Sequence, residues 1–181
     1  KNLISNAEPL WMKAALSSND QQVEQLLENI RDDLNKRQKK LKPRRSENEQ
    51  TRQRKKLRRW FKNWLGPLTD QQLSQIHQLA DNLQTSSEQW LNYRFRWLAE
   101  LESVLRAGSA DPLYEFRLKQ LVLEPQTLRD ASLKDSLRAD KQRWSTALPT
   151  IINSLSKSQR GHLLRKLDDL IGDLKQLTAS A

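Results

Sequence analysis

Trp64-Leu65-Gly66-Pro67-Leu68-Thr69-Asp70-Gln71-Gln72-Leu73 ends one helix and begins another, and its punctuation decides how the chain reads. Glycine past a helix C-terminus takes a left-handed turn without a steric penalty, and the proline after it has no N–H to continue the helix. Thr69 and Gln72 are spaced as a capping box, in which each side chain accepts the other residue's backbone N–H. Leu68 and Leu73 stand where a hydrophobic staple needs them.

Working backward, Leu57, Trp60, Phe61 and Trp64 recur on one face of a helix that ends at Leu65. Ser46 caps it, with Glu49 as the capping-box partner. Pro43 separates it from a helix over 19–42, whose apolar stripe is Val23, Leu26, Leu27, Ile30, Leu34 and Leu41. A short first helix covers 7–16. Working forward, Leu73, Ile76, Leu79, Ala80 and Leu83 form a buried face, and a soft break follows at 84–87. A helix over 88–106 turns Trp90, Trp97, Leu101, Val104 and Leu105 inward and stops at Gly108. Asp111-Pro112 opens a helix that ends before Pro125. Residues 131–154 form another, which Pro149 kinks or splits. Ser156 and Gln159 cap the last, over 157–178, with Leu163, Leu167, Leu170, Ile171, Leu174 and Leu177 as its stripe.

The 181 residues include 32 Leu, against six Ile and three Val. Leucine favours helices, and the β-branched residues that favour strands are almost missing. The fold class is all-α: a bundle of seven to eight helices in a single domain over 1–181, with its main body at 57–178. Cys is absent, which excludes a disulfide scaffold, a thiolate metal site and a cysteine nucleophile. No apolar run approaches the ~18 residues of a membrane span. The first residue is Lys1, with no signal peptide ahead of it, so the expectation is a trimmed piece of a longer product.

The net charge of +10 is unevenly placed. Residues 31–62 hold 15 Lys+Arg and four Asp+Glu, a local +11, which leaves −1 for all other residues. Two helices joined at Lys42-Pro43-Arg44-Arg45 make an antiparallel basic hairpin over 19–65 that protrudes from the body. Arg52, Lys55, Lys56 and Arg59 recur on one face, and with Arg44 and Arg45 they are the candidate contacts for an anionic partner. The competing reading is a solvated extension that confers solubility. Trp60, Phe61 and Trp64 match a buried stripe better than a base-stacking platform. No nucleic-acid module is visible, so nucleic acid is not the expected partner.

Catalytic constellations are missing. His77 and His162 lie on separate helices without a ligand spacing. Asp169 and Asp173 share a helix face, as solvated acidic pairs commonly do, and Asp130, Asp135 and Asp140 point in different directions. Four scattered Gly cannot build a phosphate loop. The expectation is a non-enzymatic protein with no catalytic residue, no metal and no cofactor.

At Trp64-Leu65-Gly66-Pro67-Leu68-Thr69 with Gln72, the chain resembles a family of predicted lipoproteins of Gram-negative bacteria whose function is uncharacterised. The resemblance continues through Arg94-x-Arg96-Trp97, through Leu121-Val122-Leu123-Glu124-Pro125 with Leu128-Arg129, and through Leu155-Ser156-x-x-Gln159-Arg160-x-His162-Leu163. It covers 17–178. It implies export to the periplasmic side of the cell envelope and an anchor through a lipidated N-terminal Cys, which is not among these residues. It transfers no catalytic residue. Leu68-Thr69-x-x-Gln72 and Leu155-Ser156-x-x-Gln159 also resemble the paired motifs of small periplasmic stress chaperones of the Spy and CpxP type, although capping physics alone produces the same pattern. The function expected is binding or structural: contact with an anionic envelope component or a partner protein through the basic hairpin, with a chaperone-like client-binding module as the alternative. The oligomeric state stays open.

Overall fold

The structure is a computed structural model that describes residues 8–41 and 49–179. Its helices are α1 (Glu8–Ser17), α2 (Asp20–Leu41), α3 (Glu49–Leu65), α4 (Asp70–Asn82), α5 (Ser87–Ala107), α6 (Tyr114–Leu123), α7 (Ala131–Asn153) and α8 (Lys157–Ala179). Short 3-10 turns at Gly108–Ala110 and Pro125–Leu128 flank α6. There is no strand among the described residues, and the protein is an all-α multi-helix bundle. No described helix is long and apolar enough to cross a membrane.

The chain divides into two compact units. The first is built from 1–44 and 85–135, the second from 45–84 and 136–181. This differs from the single body expected over 57–178. Leu27 and Leu34 of α2 pack with Leu91, Leu98, Leu101, Val104, Leu118 and Leu121. Leu57, Phe61 and Leu65 of α3 pack in a separate cluster with Ile76, Leu79, Ala80, Ile151 and Leu155. The two arms of the expected hairpin therefore bury their stripes in different cores. Its tip, with Lys42, Pro43, Arg44, Arg45 and the expected cap Ser46, lies outside the described residues.

In the first unit, α2 and α5 run antiparallel. Arg31 meets Glu102 at 2.8 Å, while Arg106 meets Glu24 at 2.7 Å and Glu102 at 3.0 Å. The α6 helix is held to α5 by polar contacts at its end. Trp97 Nε1 donates to the Leu121 carbonyl at 3.1 Å, and Tyr93 Oη donates to that of Pro125 at 2.8 Å. The Arg129 guanidinium stands over the Trp90 and Tyr93 rings at 5.4 and 5.8 Å. At both ends of this segment an aspartate closes a turn. Asp111 accepts from the Leu113 N–H and from Arg117, and Asp130 from the Leu133 N–H and from Arg96. Those bonds hold both carboxyls below their ordinary range, the backbone N–H being the larger cause in each. A depressed folded pKa contributes stability that is present above the unfolded value, about 3.9, and is lost as pH falls through the folded one. Urea midpoints should therefore drop below about pH 4, and the double variant Asp111→Asn/Asp130→Asn should flatten that fall.

The second unit contains α3, α4, α8 and the larger part of α7. Gly66 carries the expected left-handed turn, with φ of 79°, and its N–H closes on the Lys62 carbonyl at 2.9 Å. The Thr69–Gln72 box is formed in both directions. Thr69→Ala should cost about 1 kcal/mol, read from the unfolding midpoint. Pro149 neither splits nor ends its helix: α7 is a single helix through it. The stripe of α8 departs most from expectation. Leu163 packs on the core, but Leu164, Leu167, Leu170, Ile171, Leu174 and Leu177 are exposed.

Candidate functional site

The orientation of α3 follows from its buried line. Leu57, Phe61 and Leu65 recur every four residues and face the second core, with Phe61 only 1% exposed. The Phe61 ring stacks on Trp144 of α7 at 5.9 Å. Trp60 is rotated about 100° from that line. It touches Phe61, Trp64 and Trp144 with ring centroids 4.9, 6.1 and 6.1 Å away, yet keeps 46% of its surface exposed. The expected buried stripe of Trp60, Phe61 and Trp64 is corrected accordingly: Phe61 is buried, Trp64 half-buried, and Trp60 lies at the edge of the core.

The same rotation sends the cations outward. Lys55, Lys56, Arg58, Arg59 and Lys62 are all exposed on α3. Lys56, Arg59 and Trp60 lie three and four residues apart, so they share one face. Of the candidate contacts, α3 carries Arg52, which is half-buried, and Lys55, Lys56 and Arg59, which are exposed. Arg44 and Arg45 lie outside the described residues. Arg54 forms a two-pronged pair with Asp81 of α4, one prong at 2.6 Å, and this pair holds the Asp81 carboxyl below its ordinary range. It ties α3 to α4 across the helix side.

The two units differ in charge. The second unit holds 16 basic and eight acidic residues, +8, and the first holds 16 and 14, +2. Within the segment 31–62, the part on α2 is partly neutralised. Arg31 pairs with Glu102, and Arg37 with Asp33 at 2.7 Å. The strongest stretch is 49–62, with seven basic residues and one acidic.

The same unit holds an arrangement that spacing alone did not reveal. The capping boxes of α4 and α8 meet. The Gln72 Oε1 accepts from the Thr69 N–H at 3.0 Å, and the Gln159 Oε1 accepts from the Ser156 N–H at 3.0 Å. Each amide nitrogen then crosses over: Gln72 Nε2 donates to Gln159 Oε1 at 3.1 Å, and Gln159 Nε2 to Gln72 Oε1 at 2.9 Å. The remaining donors reach the Ser154 carbonyl at 3.3 Å and the Pro67 carbonyl at 2.7 Å, each two residues ahead of the opposite cap. The pair therefore has a local two-fold pattern in which each amide uses its oxygen twice and both of its hydrogens. Next to the clasp, His162 sits against Gly66, with Nε2 3.1 Å from the Asn63 carbonyl.

A groove of about 520 Å³ runs between α4 and α7 in the same unit. Gln75, Gln78, Asn82, Gln142 and Thr146 line it over an apolar floor that includes Ala147. The Gln75 Oε1 is buried without a hydrogen-bond partner. Asp140, whose neighbours on α7 enter the groove wall, is itself buried and accepts the Gln84 N–H at 2.7 Å and Arg143 at 3.2 Å. Among the described residues no three of His, Cys, Asp or Glu are grouped to hold a metal ion.

Fold and site together define a helical protein whose second unit presents a basic, tryptophan-bearing helix face. The chain belongs to the family described as a family of unknown function, DUF6279, which matches residues 3–134. The matched stretch includes α3 and Gln72 and ends at the start of α7, before Gln159 and α8. No curated protein and no solved structure matches the chain.

Proposed function

We propose that this protein is a non-catalytic domain of a bacterial envelope lipoprotein that docks on an anionic lipid surface through the outer face of α3. The observation that carries the reading is Trp60, half exposed amid Lys56, Arg59 and their basic neighbours on a helix whose other side is locked into a core. Basic side chains are attracted to anionic headgroups by about 1 kcal/mol each near the surface. A tryptophan at the same level places its apolar ring and its N–H in the interfacial layer where both are satisfied. The likeness to predicted lipoproteins supplies the setting, because a lipid anchor would hold the domain close to a headgroup surface.

The test is co-sedimentation with vesicles. The protein should bind vesicles containing phosphatidylglycerol in about 0.1 M salt, lose most binding in about 1 M salt, and ignore neutral phosphatidylcholine vesicles. Equal binding to neutral vesicles would remove the electrostatic reading.

The meeting of the two Leu-Thr/Ser-x-x-Gln motifs favours a second reading, a client-binding module of the chaperone type. The amide-lined groove beside α4 offers donors and acceptors to an extended peptide backbone. Suppression of aggregation of a heat-unfolded client protein, at equimolar ratio, tests it. Full aggregation would dismiss it.

A further inference from the structure

The α8 helix is pinned at its start and apolar beyond it. Leu163 packs on the second core, and from Leu164 onward the apolar residues face solvent, with Leu164 and Leu177 more than 60% exposed. Their spacing is regular. Beyond Leu163, the residues Leu167, Leu170, Leu174 and Leu177 step by three, four and three residues, the alternation of a coiled-coil seam. Leu164 and Ile171 widen that seam on one flank. Lys166 and Asp173 occupy the other flank.

We infer that this face binds a second copy of the same chain, α8 against α8, in antiparallel orientation. The flanks decide both the partner and the direction. In an antiparallel pair each flank meets its own copy. Centred between Asp168 and Asp169, the seam sets Leu167 against the other copy's Leu170. On one flank Lys166 then faces the other copy's Asp173, and this happens twice by symmetry. On the other flank Leu164 faces Ile171, also twice. In a parallel pair the flanks would cross, and Lys166 would face Ile171. Only the antiparallel pairing matches charge with opposite charge and apolar with apolar. A self-complementary patch of this kind is what a two-fold dimer requires. The seam is short, about three turns, so the dimer is in concentration-dependent exchange with monomer.

Sedimentation equilibrium of the full chain across the micromolar range tests the inference. The wild type should show a monomer–dimer equilibrium. Leu170→Glu places two carboxylates in the seam and should leave only monomer, with helix content unchanged because Leu170 is exposed in the monomer. Asp173→Lys turns two attractions into two repulsions and should weaken dimerisation about tenfold. Adding Lys166→Asp should restore the wild-type constant. A wild type that stays monomeric throughout overturns the inference and leaves a different protein as the occupant of the face. A dimer that survives Leu170→Glu overturns it by placing the contact elsewhere. A dimer indifferent to Asp173→Lys overturns the antiparallel arrangement.

Discussion

Gln72→Ala is expected to lower stability by about 3 kcal/mol, more than any single surface change in the chain. Gln72 is 1% and Gln159 6% exposed, so the Gln159 amide that this change leaves behind does not readily turn to water, whereas the exposed Thr69 and Ser154 can. The Thr69 N–H loses its acceptor, Gln159 loses a donor and an acceptor, and the Ser154 carbonyl loses a donor. Each buried group left unpaired costs about 1–3 kcal/mol, while the Thr69 hydroxyl keeps its bond to the backbone N–H of residue 72. Gln159→Ala should cost a similar amount. The double variant should cost clearly less than the sum, because each deletion already strands the groups of the other. Gln72→Glu separates hydrogen bonding from shape. A carboxylate keeps the acceptor for Thr69 but has no hydrogen for Ser154 or Gln159. Its folded pKa is then raised, so the penalty is smallest below the unfolded value, about 4.3, and grows as pH rises above it. Urea unfolding at acid and neutral pH reads both the size and the sign.

The double reversal Lys56→Glu/Arg59→Glu should weaken binding to anionic vesicles at least thirtyfold. Two attractions of about 1 kcal/mol each are removed and two repulsions are added, which exceeds 2 kcal/mol in total. Fold stability should change by less than about 0.5 kcal/mol, since both side chains are exposed and the pair that ties α3 to α4 is Arg54 with Asp81. Trp60→Ala should weaken binding less steeply, and its effect should persist in high salt. The ring's contribution is interfacial burial, which counterions do not screen.

Most of the helix plan was legible in the sequence because its punctuation is local. Gly66-Pro67, Thr69 with Gln72, and Ser156 with Gln159 mark helix ends through bonds made within four residues. What lay beyond was global. Periodicity shows that α2 and α3 each have an apolar line, but it cannot say that Leu34 and Phe61 enter different cores. Trp60 looked buried because every aromatic beside an apolar line does; the line Leu57-Phe61-Leu65 alone would have set it one step aside. The α8 stripe was legible as a stripe, and only packing shows that it stays exposed. Two further boxes, Asn19 with Gln22 and Ser86 with Gln89, have the same spacing signature. The clasp was visible as two copies of one pattern, and that repetition was the available signal that they meet.

The claim that docking belongs to α3, and not to the net charge of the whole chain, is tested most directly by two matched charge reversals. One protein carries Lys56→Glu/Arg59→Glu, and the other Lys134→Glu/Lys141→Glu on exposed positions of α7. Both lose the same total charge. Affinity for phosphatidylglycerol vesicles in about 0.1 M salt should fall at least thirtyfold for the first and less than about threefold for the second. Equal losses in the two proteins, or no loss in the first, would contradict the account.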